Sequence, residues 1–300
     1  MKRNIRKLLI SSALVVGFLF LAVPQSVSAI TVSGKSCVYF AGQTTLNGET
    51  FGWNETDVSI PPCIKVCSWS TVSISATGLW THTSSSNPED WSGPGGKAGS
   101  EKTQDQYDDL GISLLTTGLD TLVGVFLTDD PPDSEATPAE LSTVTTTPAL
   151  QQAFIIGASL ADITVPDGAT RLFLGHHDGY EWSNNQGEVE VTATTIVSID
   201  IKPETLNLKS KGVLTAFIEL PECYGEEDVD IGTVECEGAP AVNAMMANDG
   251  KLIVKFDRED LVGVSPGDAV ELTVTGQLTN GTPFAGSDTI RVIDRGGGKK

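Results

Sequence analysis

One short stretch of the chain gathers oxygen-bearing side chains: Asp178-Gly-Tyr-Glu-Trp-Ser-Asn-Asn-Gln-Gly187. Asp178, Glu181, Ser183, Asn184, Asn185 and Gln186 all present oxygens there. A plain hairpin needs only about two turn residues, typically Asn-Gly or Asp-Gly. Calcium takes roughly six to eight oxygens, mixed from carboxylates, amides, backbone carbonyls and water. Asp178 brings the charge, Asn184 and Asn185 bring neutral oxygens, and Gly179 and Gly187 let the backbone turn sharply. Tyr180 and Trp182 stand among these donors, where the C–H face of a sugar ring can pack on an aromatic ring whose polar edge stays wet; anchoring the loop into the core is the equal alternative for them. His177, next to Asp178, is a third candidate for ligand contact, although a surface or packing role suits both His176 and His177 better. The same residue types are ordinary turn formers, so a decorated hairpin is the plain alternative.

Other chemistry is weakly represented. His176 and His177 are neighbours at the end of an apolar run, so their side chains point to opposite faces and cannot form a two-nitrogen metal site. His82 has no acid or nucleophile partner recognisable in the sequence. No Gly-x-Ser-x-Gly elbow, His-Glu-x-x-His pair or phosphate-binding glycine loop occurs. A glycosidase needs two carboxylates, but with 39 Asp and Glu their presence says little. An enzyme is therefore not expected. The cysteines are Cys37, Cys63, Cys67, Cys223 and Cys236. Cys63-x-x-x-Cys67 lacks the second Cys or His pair that a zinc site needs. A Cys223–Cys236 disulfide would close a short loop, worth roughly 3 kcal/mol in the chain-entropy model; Cys37 would then pair with Cys63 or Cys67.

The elements that must hold the loop read as strands. Leu172-Phe-Leu-Gly-His176 precedes it as an apolar run, and Val189-Glu-Val-Thr-Ala193 follows it in alternation. Thr71–Ala76, Glu271–Thr275 and Asp288–Val292 share that period of two, with Thr, Val and Ile dominant. Gly, Pro, Asn and Asp punctuate the chain at short intervals, and only Pro148–Ile156 could form a short helix. The expected fold is all-β, built of two β-sandwich domains. The expected boundary falls at Thr194–Ser198, giving a first domain over 30–195, a second over 196–295 and a polar tail over 296–300. Every Trp and all three His precede the boundary. Trp53 is expected to pack an N-terminal hairpin, and Asn248-Asp-Gly250 to form a hairpin turn.

The chain opens with MKRNIRK, continues with apolar residues from Leu8 to Val23 and reaches small residues at Val27 and Ala29. That order predicts a signal peptide over 1–29 and a secreted or cell-surface protein. The apolar run is shorter than the ~20 residues of a membrane-spanning helix. Removing four of the 19 Lys and Arg takes the formal charge from −20 to −24. Such a surface repels phosphate backbones, which argues against nucleic acid and anionic membranes as partners.

At this point the residues resemble a known family, the calcium-dependent, galactose-binding PA-IL-type bacterial lectins. The resemblance runs from about Cys37 to Thr194 and is strongest in Val165–Leu174, Asp178–Gly187 and on to Val191, with a weaker echo in Thr71–Trp80 and Trp91-Ser-Gly-Pro-Gly95. It implies a calcium ion held by Asp178, Asn184 and Asn185, joined by a backbone carbonyl near Trp80–His82, with sugar hydroxyls bound directly to the ion. The pattern departs in two places. Asp178 lies one residue nearer the Asn pair than in the lectins, with Glu181–Ser183 in place of their Thr. The family's His/Gln sugar-contacting segment has no match in Lys97–Asp105. Calcium is thus the firmer expectation, with a galactose-like sugar following from the family alone. The competing expectation is a structural surface or adhesion protein whose calcium only stiffens the loop; a glycan-active enzyme comes third. Residues 196–294 resemble a module of secreted prokaryotic proteins through Ile199-Asp-Ile-Lys-Pro203, Asn207–Gly212 and Thr275–Phe284, which implies a small immunoglobulin-like sandwich of no assigned activity.

Overall fold

The computed structural model describes residues 28–43, 58–104, 110–247 and 250–295. Trp53, Asn248, Asp249, the 296–300 tail and all but the last two residues of the expected signal peptide lie outside them. Among the described residues the regular structure is strand, with short 3-10 turns. Up to Ile196 the strands are β1 (Ile30–Ser33), β2 (Cys63–Lys65), β3 (Thr71–Thr81), β4 (Glu101–Thr103), β5 (Thr116–Gly118), β6 (Leu122–Leu127), β7 (Phe154–Ile155), β8 (Ser159–Thr164), β9 (Arg171–His176) and β10 (Gln186–Ile196). Beyond it come β11 (Ser198–Lys202), β12 (Thr205–Asn207), β13 (Val213–Glu219), β14 (Val229–Cys236), β15 (Ala239–Met246), β16 (Leu252–Asp257), β17 (Gly267–Leu278) and β18 (Pro283–Ile293).

Two layers make the first half. One is the antiparallel run β8–β3–β10–β1, and the other is β2–β9–β6–β7. Alternation decides which residues meet between them. Val72, Ile74 and Ala76 of β3 and Val189, Val191 and Ala193 of β10 turn inward, while their Ser, Thr and Glu neighbours do not. They pack on Leu122 and Phe126 of β6 and Leu172 and Leu174 of β9. Strand β6, Leu-Val-Gly-Val-Phe-Leu, does not alternate because it is buried along its whole length. Its other face, Val123, Val125 and Leu127, carries a second core with Val38, Tyr39, Phe40 and Trp182.

Register then gathers the site at one end. β3 and β10 pair over eleven residues, so that Gln186, opening β10, lies opposite Thr81, closing β3. β9 ends at the same edge, with His176 opposite Leu122. Gly187 has φ +83°, and a Cβ there would fall 2.4 Å from the Leu79 carbonyl oxygen, so only glycine lets the two strands close here.

In the second half β11–β13–β16–β15–β14–β17–β18 continue the large sheet, joined to β10 through a short parallel pairing of Thr195–Ile196 with Phe284–Ala285. Its buried side chains, among them Ile201, Leu214, Phe256, Val274 and Val292, form a separate core. The fold is all-β, as the strand pattern predicts, and the alternating segments all lie in strands, longer than expected at both ends for β10 and β17.

Two expectations are corrected. Pro148–Ile156 is not helical: Gln151 adopts φ +60°, and its side-chain amide donates to the carbonyls of Gly111 and Asp133, 2.7 and 2.9 Å away, so tertiary contacts decide its conformation. The disulfide is Cys67–Cys223, not Cys223–Cys236. Loop length misled because β14 lies between Cys223 and Cys236. Eight extended residues at about 3.3 Å each carry Cys236 away, into the core beside Val234. Cys223 stays at the surface next to Tyr224, whose ring lies 5.7 Å from Lys65 Nζ. Cys37 is likewise buried, in the second core of the first half, and bridges neither Cys63 nor Cys67.

Non-reducing peptide mapping should recover the Cys67 and Cys223 peptides linked. Alkylation of the native protein should mark exposed Cys63 long before Cys236, whose thiol burial pushes up to about 12. A Cys223–Cys236 peptide would refute the assignment.

Candidate metal centre

The loop from His177 to Asn185 joins β9 to β10 and is pinned from inside by Trp182. The indole is fully buried, meets Tyr39 edge-on at 6.2 Å between ring centroids, and donates through Nε1 to the His176 carbonyl at 2.9 Å. Trp182 is therefore not a platform for ligand, as its place in the loop suggested; it is the loop's anchor. A Trp that size contributes most when buried, and its N–H found a partner, so the core claims it. Tyr180 is the aromatic that remains in solvent, about half exposed.

His177 is also removed from ligand contact. It is fully buried, with Nε2 3.1 Å from the Lys102 carbonyl, and its backbone clips onto the turn before β6 through His177 N–H to Thr121 O (2.9 Å) and Asp120 N–H to His177 O (3.0 Å). Both histidines are hidden, His176 at the end of β9 and His177 just beyond it, because both faces of that sheet are covered.

The three oxygens expected to hold a cation share an unusual state. Asp178 Oδ2, Asn184 Oδ1 and Asn185 Oδ1 are buried and have no hydrogen-bond partner. Thr81 Oγ1, opposite the start of β10, is in the same condition. Buried polar atoms are almost always satisfied, because leaving one bare costs about 1–3 kcal/mol. The other atoms of these groups are engaged. Asp178 Oδ1 accepts from the Tyr180 N–H at 3.2 Å. Asn184 Nδ2 donates to Glu181 Oε2 at 2.9 Å, and Asn185 Nδ2 donates to the Gly34 carbonyl at 2.9 Å. In both amides the nitrogen is held by an acceptor, so the oxygen is left over.

Burial is the largest influence on the Asp178 carboxyl and raises it above its ordinary range; the Tyr180 amide at Oδ1 and other neighbours offset it only in part. Loss of water is thus what disfavours the ionised form of Asp178. Among the described residues no three His, Cys, Asp or Glu side chains cluster as a metal site. One carboxylate with neutral amide oxygens suits a hard cation such as calcium and suits zinc poorly.

Sequence reading missed Asp120. It lies in the turn before β6, at φ +65°, and is fully buried. Its carboxylate accepts from His176 Nε2 (3.0 Å), His82 Nδ1 (3.0 Å) and Ser92 Oγ (2.7 Å), while its backbone oxygen accepts from Trp80 Nε1 (2.7 Å). Burial pushes this carboxyl up, but the hydrogen bonds from His176, His82 and Ser92 outweigh it and hold the group well below the usual carboxylate range. The same bond to Asp120 raises His82. His82 thus has the acid partner that the sequence hid, 38 residues away. No spacing motif marks such a pair.

Burial drops His177 to about 4, from an ordinary value near 6.5. The unfolded chain therefore binds a proton between those values that the folded chain refuses, and stability falls as pH drops from about 6.5 toward 4. At pH 5 the loss is about 2 kcal/mol relative to pH 7. Urea midpoints of wild type and His177→Gln at the two pH values measure it; the substitution should shrink the wild-type difference by about that amount. An equal pH dependence in both proteins would contradict a neutral buried His177.

No protein-family model matches the chain, and no curated protein matches it. Among solved structures the chain is similar to the EclA N-terminal domain, described as a PllA-like lectin, at 13% identity, with 56% of this chain and 94% of that domain covered and a TM-score of 0.29. So loose a likeness adds nothing to the geometry above.

Proposed function

We propose that the protein is an exported, calcium-dependent carbohydrate-binding protein whose ion sits in the β9–β10 loop and offers open coordination positions to sugar hydroxyls. The observation that supports it is the set of buried oxygens with no donor, Asp178 Oδ2, Asn184 Oδ1 and Asn185 Oδ1, all within one loop. Calcium would satisfy all three at once and would neutralise the desolvated Asp178. The residues fit the ion; it would supply Lewis-acid contact to vicinal hydroxyls. The exposed Tyr180 ring, beside Asp178, would take the apolar face of the sugar. Galactose in particular rests on the family resemblance alone. Export agrees with the Cys67–Cys223 bridge, which belongs in an oxidising compartment. In this reading residues 30–195 carry the binding and 196–295 form an accessory module.

Glycan-array binding with and without chelator tests the sugar. Chelator-sensitive binding is expected, whereas binding to no glycan, or binding that ignores chelator, would leave calcium a purely structural part. Thermal melting tests the ion. At about a hundred times Kd, calcium adds about 2.7 kcal/mol, or a rise of about 5–10 °C in Tm. Asp178→Ala should abolish the rise, Asn184→Ala and Asn185→Ala should reduce it, and Glu188→Ala, exposed on β10, should leave it unchanged. Glu181→Ala belongs with the Asn variants, because Glu181 holds the Asn184 amide. A wild-type Tm unmoved by millimolar calcium would refute the site.

A further inference from the structure

The orientation of Asn185 is decided by a chain of hydrogen bonds that ends far from the loop in sequence. Gly34 O can only accept, so the Asn185 atom 2.9 Å from it is the amide nitrogen. That nitrogen also lies 3.1 Å from His176 Nδ1, which must then accept and carry no proton. The ring proton is left on Nε2, 3.0 Å from Asp120 Oδ1. Asp120 is itself fixed by Ser92 and His82 through its side chain and by Trp80 and His177 through its backbone. Trp80 also packs edge-on against the His176 ring, with centroids 4.5 Å apart.

We propose that Asp120 is a positioning residue: it selects the Nε2–H tautomer of His176, and that tautomer turns the Asn185 amide so that its oxygen, not its nitrogen, is left for a cation. With the proton on Nδ1 instead, the ring would face the Asn185 NH2 donor to donor. Flipping the amide would relieve that clash only by setting its oxygen against Gly34 O. Each contact in the chain admits one arrangement, and the same one. A carboxylate, which only accepts, is the group that this relay needs at its far end. The consequence for calcium rests on the function proposed above; the proton assignment does not.

The test begins with metal-free protein, 15N-labelled at histidine, at pH 7. Long-range proton–nitrogen correlation should show His176 protonated at Nε2 and bare at Nδ1; a proton on Nδ1 would overturn the proposal. Asp120→Asn then leaves one side-chain oxygen where three donors converged. His176 should gain a population with the proton on Nδ1, and calcium affinity by titration calorimetry should fall about 10- to 100-fold. Unchanged tautomer and unchanged affinity in folded Asp120→Asn would also overturn it, since a merely structural residue would alter stability alone. Should that variant fail to fold, His176→Phe keeps a ring against Trp80 and removes the acceptor for Asn185. The same loss of affinity is expected, and full affinity would refute the relay. If wild type shows the Nε2–H tautomer but binds no calcium, the relay stands and the calcium reading alone falls.

Discussion

Desolvation without compensation is the constraint that organises this end of the molecule. Three oxygens of the β9–β10 loop are taken out of water and given no donor. At about 1–3 kcal/mol each, that is a substantial part of the roughly 5–15 kcal/mol by which a domain is stable. A loop left to itself would turn these groups outward. It is kept in place by Trp182, buried beneath it against Tyr39 and bonded to the His176 carbonyl, and by the backbone clip between His177 and the Asp120–Thr121 turn. The loop is held by its aromatic anchor and by the strand ends that frame it, and its unsatisfied oxygens follow from that hold.

The two-layer fold makes such an arrangement available. β3 and β10 pair along their full lengths, so the end of one and the start of the other meet in register, and β9 delivers His176 to the same edge. Groups from sequence positions as distant as Gly34, Thr81, Asp120 and Asn185 thereby become neighbours. The sheets on either side exclude water and strengthen each hydrogen bond, which makes the Asp120–His176–Asn185 relay stiff and makes an unpaired oxygen costly.

Much of this was legible in the sequence and some was not. Alternation in Thr71–Ala76 and Val189–Ala193 gives the strands and their inward faces, because burial of one sheet face imposes a period of two. The loop's Asp and Asn residues stand out by composition. For Trp182 and His177 a ligand contact and a packing role were both open, because position in a loop does not tell which way a side chain points; covered sheets on both faces drew them in. Asp120 was invisible, one of many acids, since its role depends on contacts with His82 and His176 that only the folded chain creates. The cysteines failed for a similar reason: proximity in sequence ignored the strand that separates Cys223 from Cys236.

The central claim is that the bare oxygens converge on a cation, and a crystal grown in millimolar calcium examines it most directly. Expected is one ion in the β9–β10 loop, about 2.3–2.6 Å from Asp178 Oδ2, Asn184 Oδ1 and Asn185 Oδ1. Ordered waters bonded to those three oxygens, with calcium absent or bound elsewhere, would contradict it.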